Sequence, residues 1–230
     1  MAANRQVNIN TESVDNYLKA ILALSGPEQR AVSSTALARR LKVAPASITN
    51  MLQKLASAAK PFVEYEKRRG VRLSPEGQRR AQEVVRHHRL IETFLFEILD
   101  YPIEEVHEEA ERLEHFISER FEERLSTKLG HPKLDPHGHC IPAMNGRVPK
   151  EKSVALAELK REGPFMVESL SDQDAALLKQ IRKRGITPGT RLLIKSRSTS
   201  GHWSVSLGRS SEALHLSPDE ARCIRVRPVG

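Results

Sequence analysis

The sequence predicts a mainly α protein with a small β part, arranged in three domains. Apolar residues recur at helical spacing across most of residues 11–125, a Pro- and Gly-rich stretch follows, and short alternating runs fill the C-terminal third. We therefore expect a winged helix-turn-helix at 1–75, a helical domain at 76–140, a linker at 141–160 and a small β-barrel at 161–230.

The first domain begins with three predicted helices. One starts near Thr11, and the next is capped by Ser33 or Ser34. A third carries Pro45 in its first turn, where no backbone donor is needed. Two alternating runs then flank Lys67–Gly70 and predict a β-hairpin with a basic tip. This order of elements is typical of a winged helix-turn-helix, in which the third helix enters the DNA major groove.

The third helix and the hairpin supply the candidate DNA contacts. Small or polar side chains that suit base edges and thymine methyl groups begin the helix at Ala44, Pro45, Ala46, Ser47, Thr49 and Asn50. Contacts to phosphates or bases are expected further along from Gln53 and Lys54. The hairpin tip would neutralise phosphate through Lys67, Arg68 and Arg69. Residues 1–86 hold 15 Lys and Arg against 7 Asp and Glu, which fits a polyanionic partner. The alternative is a helical bundle with a solvated basic face.

The second domain carries His and Glu at metal-ligand spacing. One long helix starts at Ser74-Pro75 and places His88 and Glu92 four residues apart. A second helix, expected from about Ile103 to Leu125, sets four ligand-type residues within an arc of about 100°: His107, Glu111, Glu114 and His115. Carboxylates that face a core repel one another unless a cation pairs with them. A shell without thiolate favours Mn²⁺ or Fe²⁺ over Cu⁺ or structural Zn²⁺. The alternative is a solvated acidic helix, since residues 87–130 hold 12 Asp and Glu against 5 Lys and Arg.

The His and Glu pattern resembles that of a known family of regulators. The stretch Val106–His115, with His88–Glu92 before it, is similar to the metal-binding region of the diphtheria-toxin-repressor family, which includes iron-dependent repressors and manganese-dependent regulators. The likeness extends to Pro45–Leu55 in the third helix and to Glu66–Leu73 in the hairpin. The C-terminal third resembles the FeoA-like β-barrel of longer members.

The resemblance implies two metal sites per chain. The ancillary site would consist of His88, Glu92 and His107. The C-terminal domain would add ligands to it from Glu168 and from Asp172 or Gln173. The primary site would consist mainly of Glu111, Glu114 and His115. Iron-type members carry Cys at the position of Glu111, so the carboxylate there points to Mn²⁺, with Fe²⁺ as the competitor.

The first helix departs from the family pattern. Members supply a primary-site ligand just before a tyrosine that matches Tyr17, and the residue here is Asn16. Manganese-type members carry Glu three residues later, where this chain has Lys19. Three alternatives remain for the first-helix ligand. Asn16 binds the metal as a weaker ligand, Asp15 or Glu12 takes over that role, or the first helix does not contact the metal as it does in other members.

These features predict a cytoplasmic, metal-dependent DNA-binding regulator and not an enzyme. The resemblance implies a homodimer that represses metal-uptake genes from a palindromic operator, with candidate interface residues Phe94, Leu95, Ile98, Phe116 and Phe121. No small organic ligand is expected. No membrane partner is expected either, because no apolar run approaches about 20 residues and residues 1–17 lack a signal-peptide core. The alternatives are an iron-dependent repressor of the same family, a regulator with vestigial metal sites, and a metallohydrolase that uses the His and Glu cluster. The segment His137–Cys140 is interpreted as a structural loop.

Overall fold

A computed structural model describes residues 11–26, 28–149, 153–208, 210 and 212–229. Residues 1–10, most of the N-terminal stretch considered for a signal peptide, lie outside this part. The described chain divides into two compact units. The first takes in the residues up to His87 with Glu114–Ile117 and Pro142–Arg147, and the second takes in His88–Leu113, Ser118–Ile141 and the residues from Val148 onward. Within the described part, no helix is both long enough and apolar enough to cross a lipid bilayer.

The first unit contains the predicted helices and hairpin. Its elements are α1 (Thr11–Ser25), α2 (Ser34–Leu41), α3 (Pro45–Ala56), β1 (Val63–Glu66), β2 (Gly70–Leu73) and the start of α4 (Pro75–Glu97). Ser33 caps α2 by accepting the Ala36 N–H at 3.1 Å, and Lys42 ends it with a left-handed φ of 54°. The apolar faces of these elements share one core, which includes Leu18, Ile21, Leu37, Ile48, Leu52, Leu55, Val63 and Val71. The three helices and hairpin predicted for this region are confirmed.

The second unit contains the rest of α4, followed by α5 (Val106–Leu113) and α6 (Glu119–Lys128). The single helix predicted from Ile103 to Leu125 is wrong, because the chain leaves the helix after Leu113. Ser118 then begins α6 as its cap, its hydroxyl accepting the Phe121 N–H at 3.3 Å. Glu114 and His115 therefore lie in the turn between two helices and do not continue the stripe of α5.

The C-terminal part of the second unit is a six-stranded antiparallel sheet in the order β3-β8-β4-β5-β6-β7. Its elements are β3 (Val154–Ala155), a 3₁₀ turn (Leu156–Glu158), β4 (Gly163–Leu170), α7 (Ala175–Lys183), β5 (Arg191–Arg197), β6 (Trp203–Leu207), β7 (Leu214–Leu216), α8 (Pro218–Cys223) and β8 (Ile224–Pro228). Register shifts in β4 and β5 mark bulges, which bend a sheet. The core includes Leu156, Phe165, Ile181, Trp203, Val205 and Ile224. Leu156 belongs to this core although residues 141–160 were expected to be a linker. The predicted fold class, mainly α with a small β part, is confirmed.

A folded loop precedes the sheet and packs on its longest strand. Asp135 organises the loop, because its Oδ1 accepts the backbone N–H groups of His137 and His139 at 2.8 and 2.9 Å. The Leu170 N–H at the end of β4 donates to the His137 carbonyl at 2.9 Å. Gly138 has a φ of 89°, and a Cβ built there would lie 2.2 Å from the carbonyl oxygen of Glu168. The loop therefore reaches β4 only because residue 138 has no side chain.

We expect Gly138→Ala to destabilise the protein more than Gly130→Ala. Both glycines have a positive φ, so each substitution pays about 1–2 kcal/mol for the left-handed backbone. Only Gly138 meets backbone, whereas a Cβ at Gly130 meets nothing within 4 Å. The overlap at Gly138 adds about 1–3 kcal/mol. Urea unfolding measures the difference, and equal midpoints for the two variants would contradict the close approach of loop and strand.

Candidate metal centre and nucleic-acid interface

The outer face of α3 carries the residues predicted to read DNA. Ile48, Leu52 and Leu55 are fully buried and leave the opposite face free of core contacts. Exposed on that face and at the start of the helix are Ala44, Pro45, Ala46, Ser47, Asn50, Gln53 and Lys54. Thr49 is half-buried, and its hydroxyl donates to the Pro45 carbonyl at 3.2 Å. The helix thus presents small and polar side chains in the way a groove-reading helix does.

The hairpin tip carries the predicted phosphate contacts. Lys67, Arg68 and Arg69 are all exposed, and Arg68 takes a left-handed φ of 77° in the turn. Arg69 pairs with Glu66 at 3.0 Å, an exposed pair that water and salt screen strongly. The tip can therefore present its cations to a polyanion.

Four ligand-type side chains converge in the second unit. Their donor atoms all lie within 4.8 Å of one another, and they come from His88, Glu92, His107 and Asp172. His88 Nε2 lies 2.9 Å from Glu92 Oε1 and 3.0 Å from His107 Nδ1. His107 Nδ1 lies 3.5 Å from Asp172 Oδ2. The helix α4 supplies two of these residues, α5 supplies His107, and the residues after β4 supply Asp172.

These spacings fit a divalent first-row metal. With bonds of about 2.1 Å, such an ion sets neighbouring ligand atoms about 3.0–3.4 Å apart. The donors are imidazole nitrogens and carboxylate oxygens, which suit Mn²⁺, Fe²⁺ and Zn²⁺. Glu92 and His88 are buried, while His107 and Asp172 are partly exposed. The residues present therefore fit the metal that the resemblance implies for the ancillary site.

His137 adds a second line of support for a cation at Glu92. Its Nε2 lies 3.2 Å from the carbonyl oxygen of Ile103, which can only accept, so this nitrogen carries a proton. In the neutral ring Nδ1 is then a bare lone pair, and it lies 3.7 Å from Glu92 Oε2. Both atoms are buried and neither has a hydrogen-bond partner among the described residues. Two buried acceptors that face each other need a cation, either a proton or a metal.

The loop residues form a second group of ligand-type side chains. Donor atoms of Asp135, His137 and His139 lie within 4.8 Å of one another. His139 Nδ1 and Arg89 Nε approach Asp135 Oδ2 at 3.3 and 3.6 Å. The segment 137–140 was interpreted as a structural loop, and the structure places His137 against Glu92. The spacing His137-x-His139 was the available signal, but a loop has no fixed period that shows which way a side chain points.

The pKa shifts around Glu92 reflect a demand for positive charge. Burial raises the pKa of the Glu92 carboxyl, but the neighbouring His88 and the imidazoles around it outweigh burial and hold that pKa well below its usual range. Burial lowers the pKa of His137 and of His139, yet Glu92 and Asp135, respectively, raise each above its ordinary value. Burial raises the pKa of Asp172, and the charges of His139 and His107 bring it below normal. The lowered pKa values favour the ionised forms of Glu92 and Asp172, which are the forms that ligate a divalent ion.

Of the remaining residues predicted from α5 and the C-terminal domain, Glu111 and Gln173 lie beside members of this centre. Glu111 Oε1 is 4.0 Å from His107 Nε2, at the edge of ion-pair distance. Gln173 Nε2 donates to Asp172 Oδ1 at 2.8 Å and so orients that carboxylate. Glu168 has a buried Oε2 without a hydrogen-bond partner in the described chain, and neither group of ligand-type side chains in this unit includes it.

Two residues predicted for the primary site lie in the first unit and are occupied by other partners. Both carboxylate oxygens of Glu114 accept from Lys19 Nζ, at 2.6 and 2.7 Å. His115 Nδ1 lies 3.3 Å from Asp15 Oδ2. Asn16, the half-buried residue that matches the family's first-helix ligand, is adjacent to this buried Asp15. Glu114 therefore already faces a cation, which a metal ion bound to its carboxylate would have to displace or adjoin.

Three family models match the chain in succession. They are the iron dependent repressor N-terminal DNA binding domain at residues 10–71, the iron dependent repressor metal binding and dimerisation domain at 74–143, and the FeoA domain at 154–228. The described metal centre draws on residues inside the second and third of these matches.

Curated relatives and solved structures agree with the family models. The diphtheria toxin repressor of Corynebacterium glutamicum is 31% identical over 230 residues, covering 95% of this chain and 97% of that protein. A solved manganese-dependent transcriptional repressor in complex with manganese is 35% identical, with a TM-score of 0.83, 93% of this chain covered and 99% of that one. The structure of ScaR with bound Zn²⁺ is 30% identical, with a TM-score of 0.80 and 94% and 99% covered. The resemblance seen in the sequence is confirmed: the chain belongs to the diphtheria-toxin-repressor family of metal-dependent transcriptional repressors.

Proposed function

We propose that this chain is a Mn²⁺-activated repressor that binds a palindromic operator as a homodimer. The observation that supports this most strongly is the convergence of His88, Glu92, His107 and Asp172, with bare acceptor atoms of Glu92 and His137 facing each other nearby. A buried carboxylate in this setting requires a cation, and its ligand set is the kind that a metal sensor uses. We infer that the protein represses metal-uptake genes and that it acts in the cytoplasm.

The choice of Mn²⁺ rests on donor chemistry. In the part of the chain that the structure describes, the groups of ligand-type side chains contain imidazole and carboxylate and no thiolate. Carboxylate ligands favour harder ions, and Cu⁺ and structural Zn²⁺ prefer sulfur. Glu111 beside His107 adds another carboxylate to this neighbourhood. Fe²⁺ is the competing candidate, because iron-dependent repressors are among the relatives of this chain.

The side chains of the centre hold one another in a binding arrangement. Ile103 fixes the ring of His137 through its carbonyl, so that Nδ1 is directed toward Glu92. Gln173 holds Asp172 by a hydrogen bond to Oδ1, leaving Oδ2 toward His107. A bound divalent ion would supply the positive charge that these carboxylates share. In the second unit, α4, α5, the loop and the end of β4 would then be fixed by one coordination shell.

The first unit supports DNA reading by α3 and the hairpin. Asn50 is exposed on α3 and can form paired hydrogen bonds with an adenine edge, while Lys67 can contact phosphate. Dimer formation is supported by exposed apolar side chains, which include Ile98, Phe121 and Phe116, the last at 76% exposure. Leu95, another candidate for the interface, is a core residue at 3% exposure and is not available for it.

Glu92→Gln is expected to weaken Mn²⁺ binding at least tenfold. The amide keeps the size of the side chain but removes the buried charge that the imidazoles surround. Glu108→Gln is the matched control, since Glu108 is exposed and pairs only across the surface of α5 with Arg112. Titration of each protein with Mn²⁺, followed by the loss of the free-ion electron paramagnetic resonance signal, measures the affinities. Equal affinity for the two variants would contradict the proposed centre.

DNA binding is expected to require metal. Substitutions of base-contacting and phosphate-contacting residues are expected to change it in different ways. Against an operator selected from a random-sequence pool, Asn50→Ala should cost about 1–3 kcal/mol and relax preference at one base position. Lys67→Gln should weaken binding to all sequences and reduce the salt slope by about 1. Fluorescence anisotropy with Mn²⁺, with Fe²⁺ under anaerobic conditions and with chelator separates these effects. If wild-type protein bound the operator equally well in chelator, metal activation would be refuted.

A further inference from the structure

A buried ion-pair network in the first unit joins α1, α4 and the turn after α5. Lys19 Nζ contacts both oxygens of Glu114 at 2.6 and 2.7 Å, and the Glu114 side chain is fully buried while that of Lys19 is 16% exposed. On the other side Arg80 donates to both oxygens of Asp15, at 2.8 and 2.7 Å. Both carboxylates thus receive paired, charge-assisted contacts from a cationic side chain.

His115 lies between the two ion pairs. Its Nδ1 is 3.3 Å from Asp15 Oδ2, and its Nε2 is 3.2 Å from Glu114 Oε1. The second approach lacks hydrogen-bond geometry, so Nε2 is buried without a hydrogen-bond partner in the described chain. The network therefore runs from Lys19 through Glu114, His115 and Asp15 to Arg80.

Each buried carboxylate of this network already has a cationic partner. Glu114 faces Lys19 and Asp15 faces Arg80, which also contacts the partly exposed Glu83 at 3.2 Å. A divalent ion on Glu114 would have to displace the Lys19 ammonium or lie beside it, in a site too buried for water to screen the repulsion. The second unit differs, because the partners of Glu92 there are imidazoles, whose nitrogens can themselves ligate a metal ion.

We propose that Lys19 is a built-in cation that takes the place of a metal ion at Glu114 and His115. The first unit then holds its carboxylates together at any metal concentration. The chain binds one activating ion, in the second-unit centre, where the family resemblance implies two. This inference goes beyond the proposed metal response, because it concerns residues outside that centre.

Metal stoichiometry tests the proposal. Wild-type protein should bind one Mn²⁺ tightly per chain by equilibrium dialysis and metal analysis. Lys19→Met removes the ammonium and leaves Glu114 Oε1 and His115 Nε2 as adjacent ligand atoms 3.2 Å apart, so this variant should bind two ions. Adding Glu114→Gln to Lys19→Met should bring the count back to one. Lys128→Met, an exposed lysine at the end of α6, is the matched control and should bind one ion.

The outcomes separate this proposal from the proposed function. Two tight ions in wild-type protein, or a Lys19→Met variant that keeps the wild-type count with an unchanged circular dichroism spectrum, would overturn the role of Lys19. If Lys19→Met does not fold, Lys19→Gln answers the same question with a smaller change in polarity. No ion in wild-type protein but one in the Lys19→Met variant would refute the second-unit centre and support Lys19 as the internal cation.

Discussion

The buried negative charge of Glu92 is the constraint on which the second unit depends. A carboxylate without solvent is costly unless positive charge and hydrogen bonds surround it. The fold surrounds this carboxylate with imidazoles from three different segments: His88 from the same helix, His107 from α5 and His137 from the loop. Elements distant in sequence are therefore brought to one point by a shared electrostatic demand.

Local sequence patterns predicted the parts of this centre that lie on regular helices. His88 and Glu92 are four residues apart on an unbroken helix, so their contact follows from helical geometry alone. His137 and Asp172 lie in non-helical segments, where spacing does not tell which way a side chain points. The position of His137 depends on the hydrogen bond that its N–H donates to Asp135, and on the close packing of Gly138 against β4. Neither can be read from residue spacing.

The turn at 114–118 shows why a good periodic pattern can mislead. Apolar residues continue at helical spacing past Leu113, and this pattern predicted one long helix. Ser118 is a strong cap, and the chain uses it to start α6. The ion pairs of Glu114 and Asp15 were beyond sequence reasoning for another reason, since Asp15 and Arg80 are 65 residues apart and no local period relates them. The first three helices and the hairpin, by contrast, are bounded by caps and turn residues that act locally, and these were predicted.

The proposed role of Asp172 as a metal ligand would tie the C-terminal sheet to the metal response. The residue follows β4 directly, and the same strand holds the loop of His137 through the Leu170 N–H. Under the proposed function this module is not an independent appendage, because it supplies part of the coordination chemistry. A chain without the sheet would have to set its metal preference from the helices alone.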